Sequence, residues 1–538
     1  MNLFTEQPPT RSSLLTLKLL DNLPAWRMRA IERIMISKAM WSEREREIHV
    51  KPLEEVSTNS GSQDWRIPGL TEDLDELKKD GNIELVLPIT ELPKIPLLDL
   101  HITVNGERRY RVRLDDSARI QACHIQHLSE KIGKPIENPH LIELLAAIFY
   151  FPTSTYDKIW QRRRHSWIGF FSKRIHERIV TRSYLRSDTR LQGAARSGLS
   201  DYWYDICYEI REIVKKYAPK EHLSGASNPI IALPYFVNEW ARLKQEQPER
   251  EGVSTETITG LLWSLQALLV KAREISRESP HPEQREAADK LLSSYATYGY
   301  RWMAFARCTV PVAAPFVITI NEQRSIHFQY KRRKYRSAGI FLWKNVGKTA
   351  WKMVSFRDAE TNHVSIRVAD TAVRLDNCQP LGVADGVPDL DEQEAEIDDE
   401  EGTFELYLRH SSFQRRPERI WIKCNLRLAR VISFFHYLAM AVTAAGIGLL
   451  FWRGVLDERV LVTNPPTRQE YTHGLTAKDA SVILIPVAFV ASFLLVKDSS
   501  TLVMRIRWLR QVALLIELFI LLALASSLYA WRLIWASP

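Results

Sequence analysis

Apolar and polar positions divide this chain into a charged body and an apolar tail. Residues 1–428 hold no uncharged run long enough to cross a bilayer, and three apolar segments then follow at 431–452, 480–496 and 511–531. A hydrocarbon core of ~30 Å takes about 20 mostly apolar helical residues at 1.5 Å rise. The first and third segments reach that length; the second lies at its lower limit.

Within the body the spacing changes several times. Residues 1–56 read as an N-terminal helical segment, with Ser12 and Ser13 as N-caps before a leucine-rich run. A polar linker follows at 57–82. Strand signals come next at 84–89, 98–104 and 108–114, the last two joined by Asn105-Gly106, the strongest short-range hairpin signal because both turn residues accept positive φ. Apolar spacing near 3.6 then predicts helices over 139–151, 201–217, 257–275 and 282–306, so that 83–309 forms a mixed hairpin and helical domain. From 310 to 429, seven short alternating runs predict an antiparallel β-sandwich-like domain, interrupted by an acidic loop at 384–402 with ten Asp or Glu and no Lys or Arg. The expected fold class is an α+β soluble body followed by a transmembrane domain, 430–538, of three C-terminal transmembrane helices.

Composition adds a direction to this layout. The first 30 residues lack a secretory signal, because Lys18 and Asp21 interrupt the leucines. Arg415, Arg416, Arg419, Lys423, Arg427 and Arg430 precede the first apolar segment, and Lys497, Arg505, Arg507 and Arg510 crowd the second connection. Four bases spread over the 27 residues of the first connection, and Arg532 alone follows the third segment. The positive-inside rule then places the N-terminus in the cytoplasm and the C-terminus outside a multi-pass cell-membrane protein. The five cysteines are odd in number and far apart, as reduced structural thiols are.

Motifs for chemistry are scarce. Gly347–Thr349 (GKT) lacks the earlier glycine of a phosphate loop, where Leu342 stands, and reads as a hairpin turn. Cys123, His124 and His127 bring three potential metal ligands together, with His140 as a distant fourth, but ordinary helix positions explain them better; no metal or cofactor is expected. The acidic runs 73–76 and 389–392 read as a helix start and part of the acidic loop. No catalytic constellation emerges, so an enzyme is not the expectation.

Three features point to binding instead. The segment 158–196 holds eleven Lys or Arg against two acids, interleaved with aromatics. Arg162, Arg163, Arg164, Trp167, Lys173, Arg174 and Arg178 suit anionic lipid headgroups, or less readily nucleic acid. Inside the apolar segments, His436 and Glu517 are intramembrane polar residues at similar expected depth, where ionisable groups mark function. Small residues at Ala441, Ala445, Ala444 and Gly448 allow close helix approach.

The run Leu87–Leu114 and the helical tail resemble those of a group of uncharacterised membrane-anchored proteins of actinobacteria, over about a quarter of the chain. The resemblance implies the anchored architecture and brings no activity, ligand or catalytic residue. The sequence thus predicts a sensor or scaffold at the inner leaflet, with the lipid bilayer and an unknown protein as partners. The alternative is a homo-oligomeric pore or ion path gated by the cytoplasmic body.

Overall fold

The computed structural model describes residues 11–38, 41–58, 67–94 without 68, 99–150, scattered positions between 206 and 217, 255–325, 327–328, 349–382 without 357, 395–398, 403–409, 418–452, 461–464, 468–471, 477–495 and 500–536.

Leucines at 15, 19 and 20 bury one face of α1 (Arg11–Asp21), and α2 (Leu23–Trp26) closes it with Pro24 in its first turn. The helix expected to continue through residue 52 stops there. Arg27–Ile36 is strand β1 and Trp41–Val50 is strand β2. In β2 every second residue is buried, and two of those buried residues, Arg44 and Arg46, are charged. A hydropathy pattern cannot register such a strand, because its inward positions are as polar as its outward ones.

Two short helices, α3 (Leu53–Thr58) and α4 (Leu70–Leu77), lead to β3 (Asn82–Pro93) and to the expected hairpin of β4 (Asp99–Val104) and β5 (Glu107–Arg109). Asn105 and Gly106 take φ of 49° and 79°, as a two-residue hairpin turn requires. The second hairpin strand is shorter than expected: Arg111 makes a lone bridge to Ala306, and α5 (Leu114–Lys131) begins at Leu114. With α6 (Pro139–Tyr150), α7 (Thr255–Glu278) and α8 (Pro282–Tyr300), α5 builds a helical core around Leu128, Leu144, Leu265 and Leu292. The helix expected to reach residue 306 ends at Tyr300, because β6 (Arg301–Pro311) pairs along its whole length with β3.

Strands from the 310–429 region then join N-terminal ones. They are β7 (Phe316–Ser325), β8 (His327–Phe328), β9 (Thr349–Phe356), β10 (Thr361–Val368), β11 (Val373–Gly382), β12 (Ala395–Asp398), β13 (Thr403–Arg409) and β14 (Glu418–Leu428). An eight-stranded sheet runs β12-β13-β10-β1-β2-β7-β4-β5, with β1 and β10 parallel and the other pairs antiparallel. One face of this sheet is covered twice. The β3–β6 ribbon packs over β2, β7 and β4 through Leu85, Leu87, Ala306 and Val310 against Ile48, Ile318 and Ile102. The sheet β11-β14-β9-β8 packs over β1, β10 and β13 through Leu375, Ile422 and Leu426 against Ile34, Ile366 and Phe404. The opposite face is open among the described residues.

Beyond β14 come α9 (Arg430–Phe451), the hairpin β15 (Leu461–Asn464) and β16 (Arg468–Tyr471), α10 (Ala477–Leu495) and α11 (Thr501–Ala536). Two described helical stretches are long and apolar enough to cross a membrane, Arg430–Phe451 and Arg510–Leu528. In α10 the apolar stretch is the shorter Ile483–Ser492.

The helical core is pinned to α1 by a buried polar knot. Asp21 accepts from Lys131 Nζ at 2.6 Å and faces Lys290 Nζ at 3.4 Å, while His124 Nε2 lies 4.0 Å away and His124 Nδ1 sits 2.8 Å from the Tyr298 hydroxyl. Burial works to raise the Asp21 carboxyl, and the two ammonium groups more than offset it, so it lies well below the usual carboxylate range. Burial pushes His124 down to about 3 against the pull of Asp21. The folded state therefore refuses a proton that the unfolded chain takes up below about pH 6.5. The histidine's contribution is complete above that pH and is lost as pH falls toward 3, at up to about 1.4 kcal/mol per pH unit. His124→Gln should flatten the decline of melting temperature between about pH 6 and pH 4, measured by thermal unfolding across a buffer series.

Candidate binding face of the eight-stranded sheet

Alternation along each strand sends one set of side chains into the core and the other to the open face. Glu43, Glu45, Glu47 and His49 project from β2, Arg29, Ile31, Arg33 and Met35 from β1, and His363, Ser365 and Arg367 from β10. The twist of the sheet hollows this face into an open cleft of about 700 Å³, lined by Arg29, Arg33, Glu43, Glu45, Asp99, His101, Asn321, Gln323, His363, Arg367 and Glu405 among others. That volume lies within the range of ligand clefts.

Charges on the face are paired both across and along strands. Arg33 Nη1 lies 3.5 Å from Glu45 and 3.3 Å from Glu47. Each of three histidines has a carboxylate beside it: His101 with Asp99 at 2.9 Å, His49 with Glu47 at 3.1 Å and His363 with Glu405 at 3.5 Å. The face thus displays ordered charge of both signs, suited to a partner of complementary pattern rather than to a simple anion or cation.

Under the cleft lies a buried ionic network that fixes the strands. Arg27 and Arg46 both donate to Asp358 Oδ2, at 2.9 Å and 2.5 Å. The second arm of Arg27 donates to the carbonyls of Pro88 and Ile89, at 2.7 Å and 3.1 Å. Those carbonyls flank the register shift of β3 between Pro88 and Thr90, where proline removes a ladder donor. Arg44 pairs with Glu32 and with Glu322, whose carboxylate also lies 2.6 Å from Arg324 Nε. Burial draws the Arg27 guanidinium down to about 10, with Asp358 opposing, so it keeps its charge at neutral pH.

A second polar contact joins α9 to the first turns of α11. Arg507 Nε donates to His436 Nε2 at 3.0 Å, and His436 Nδ1 lies 2.9 Å from the Ile432 carbonyl. Arg510 donates to Ser433 Oγ at 3.1 Å and stacks over the Tyr437 ring. In α11, Leu502, Val503 and Ile506 are buried in the core between the two sheets.

The residues singled out in the sequence have varied fates. Arg162, Arg163, Arg164, Trp167, Lys173, Arg174 and Arg178 lie outside the described residues, as do Gly347 and Lys348 and the acidic run 389–392. His436 and Glu517 are not partners: His436 is held by Arg507, and Glu517 lies ten residues farther along α11, about 15 Å at 1.5 Å per residue. On α5, His124 turns to Tyr298 and Asp21, and burial raises the Cys123 thiol to about 11. His140 sits beside Glu143 on α6. Among the described residues no three His, Cys, Asp or Glu side chains converge as a metal would require. In the first acidic run, Asp73 accepts from Lys18 at 2.6 Å. Sequence reading missed Arg27, Arg46 and Asp358, whose only signal is arginine at alternate positions of a strand. It also missed Lys94, a wholly buried lysine that donates to the Ile148 carbonyl at 3.4 Å and that burial holds well below the ordinary amine range.

No protein-family model, curated protein or solved structure matches this chain.

The network and the face respond differently to mutation. Asp358→Asn leaves two buried guanidinium groups without their counter-charge and should cost about 3–5 kcal/mol. Glu45→Gln on the half-exposed face should stay within about 0.5 kcal/mol of wild type. Urea unfolding of the detergent-solubilised chain, followed by tryptophan fluorescence, measures both.

Proposed function

We propose that this chain is a multi-pass membrane protein whose body binds a partner through its charged sheet face and acts as a sensor or scaffold at the inner leaflet. The carrying observation is the path of α11. One face of its first two turns, Leu502, Val503 and Ile506, is buried in the core that both sheets line while Met504 and Trp508 stay exposed, and the same unbroken helix continues into an apolar span. On β1, Ile34 and Ile36 join the core that holds this helix while Arg33 and Met35 face the cleft. Occupancy of the cleft therefore acts on the strands that grip α11, one sheet thickness away.

The apolar helices support the anchored reading. Val431, Phe434, Tyr437, Leu484, Ile485, Phe519 and Ile520 are exposed, together with many neighbours. Large apolar side chains exposed along helices of membrane length mark a lipid or protein contact, and here they suit lipid. Three crossings are supported by the packing of α10. Its Val490 meets Ala439 and Leu514, whereas Ile483 and Val487 meet Leu450, Leu521 and Ala525, so it runs antiparallel to both α9 and α11. At 19 residues it extends about 28 Å, close to the thickness of a hydrocarbon core. The basic flanks before α9 and around the start of α11 support a body and second connection on the inner side.

A second reading is favoured by Glu517. Its Oε2 is shielded from solvent without a hydrogen-bond partner among the described residues, inside the apolar part of α11. Such a group is costly in a bilayer and marks ion paths. In that reading several copies assemble a conductive pore, and Glu517→Gln should change ion selectivity or abolish conductance in planar bilayers.

Labelling tests the topology. With the natural cysteines replaced, a cysteine introduced at Gly474 in the first connection should react with an impermeant maleimide on intact cells. A cysteine at Ser499 in the second connection should react only after permeabilisation. Equal reaction at Ser499 on intact cells would refute three crossings with the body inside.

A further inference from the structure

We propose that the open face of the eight-stranded sheet is the interface between two copies of this chain, related by a two-fold axis that runs along the strands between β1 and β2. The inference rests on the membrane-anchored reading and names the partner of the binding face. Strand register carries it. The six strands β13-β10-β1-β2-β7-β4 place Glu405, Ser365, Arg33, Glu45, Asn321 and His101 side by side in one row. Read outward from the β1/β2 boundary, one half is base, hydroxyl, acid and the other is acid, amide, imidazole. Rotation about that boundary lays each half over the other. Arg33 then meets Glu45 of the second copy, Ser365 meets Asn321, and Glu405 meets His101.

The neighbouring row follows the same rule. Arg367 faces Gln323, Thr403 faces Asp99, and Met35 covers Glu43. No like charges oppose one another in either row. Complementarity of this kind fixes orientation and register between partners.

The membrane tail chooses the axis. Strand β14 ends at Leu428 and α9 begins at Arg430, while Ile36 at the end of β1 lies in the same core as Leu502 and Val503 of α11. The ends of β1 and β14 thus lie together at the tail. An axis parallel to the strands keeps both tails pointing one way, into one bilayer; an axis across the strands would point them apart. Area is sufficient as well. Six strands about 4.8 Å apart, with four outward positions about 6.7 Å apart, cover roughly 770 Å², against about 800 Å² per partner in a standard interface.

Charge exchange tests the dimer in the full-length chain. Two differently tagged copies are co-expressed, extracted from the membrane in mild detergent, and captured through one tag. Wild-type copies should co-purify. Arg33→Glu on both copies sets carboxylate against carboxylate at both contacts, and Glu45→Arg on both copies sets guanidinium against guanidinium there. Each should reduce co-capture about tenfold or more. One Arg33→Glu copy with one Glu45→Arg copy sets opposite charges at both contacts, one exchanged and one native, and should co-purify like wild type. Arg33→Glu combined with Glu45→Arg on both copies restores opposite charges at both contacts and should co-purify like wild type. That rescue also shows that the exchanged residues are compatible with folding. Wild-type copies that stay apart, as they would if the cleft took a small ligand or another protein, overturn the proposal. So does undiminished capture when both copies carry the same single substitution, or a mixed pair or double variant whose copies stay apart. Alkaline extraction of the same membranes reports the anchor separately: release of the chain would refute the anchored reading, while the capture pattern still decides the interface.

Discussion

Burial of Leu502, Val503 and Ile506 between two β-sheets is the contact on which the rest of this structure turns. Each fully buried aliphatic side chain contributes about 1.5–3 kcal/mol, and here the three belong to a helix that does not end in the core. Arg507, one residue on, is caught by His436 of α9, and Arg510 by Ser433 and Tyr437. Within three turns α11 passes from sheet core through a polar collar to an apolar span. A flexible linker would leave the body free of these helices; here one continuous helix joins the sheet core to the apolar stretch.

The sheet that grips this helix is assembled from strands far apart in the chain. β1 pairs in parallel with β10 more than 300 residues later, and β2 pairs with β7. Buried arginine–carboxylate groups hold that assembly where apolar side chains alone would leave register free to slip. Asp358 ties β1 and β2 to the segment before β10, and Arg27 clasps the step in β3. Such pairs add little net stability, but breaking one is costly, so they specify the arrangement. Their inward direction leaves the other face of the same strands open among the described residues.

Local features of this fold were legible in the residues, and non-local ones were not. Asn105-Gly106 announced its hairpin because positive φ is a local requirement, and α5 to α8 showed a 3.6 period because their cores are apolar. β1 and β2 hid behind arginines and glutamates, since buried charge and solvated charge look alike in one sequence. Strands β11 and β12 escaped because they are broken or bordered by charge, one ending next to the acidic region and one inside it. His436 was recognised as unusual, but depth along a helix set it level with Glu517, whereas the long side chain of Arg507 reaches it from outside the apolar stretch. The binding face needed strand register to be seen, because its row of six residues comes from six separate strands.

Hydrogen exchange of the full-length chain in lipid nanodiscs tests most directly whether body and membrane helices are one unit. The amides of residues 503–509 are the measured quantity, compared with those of β1 and β10. If α11 is welded into the sheet core, they exchange through the same rare opening as those strands, orders of magnitude slower than exposed amides. If they exchange within seconds while β1 and β10 remain protected, the segment is a loose linker, and coupling between the sheet face and the membrane span is refuted.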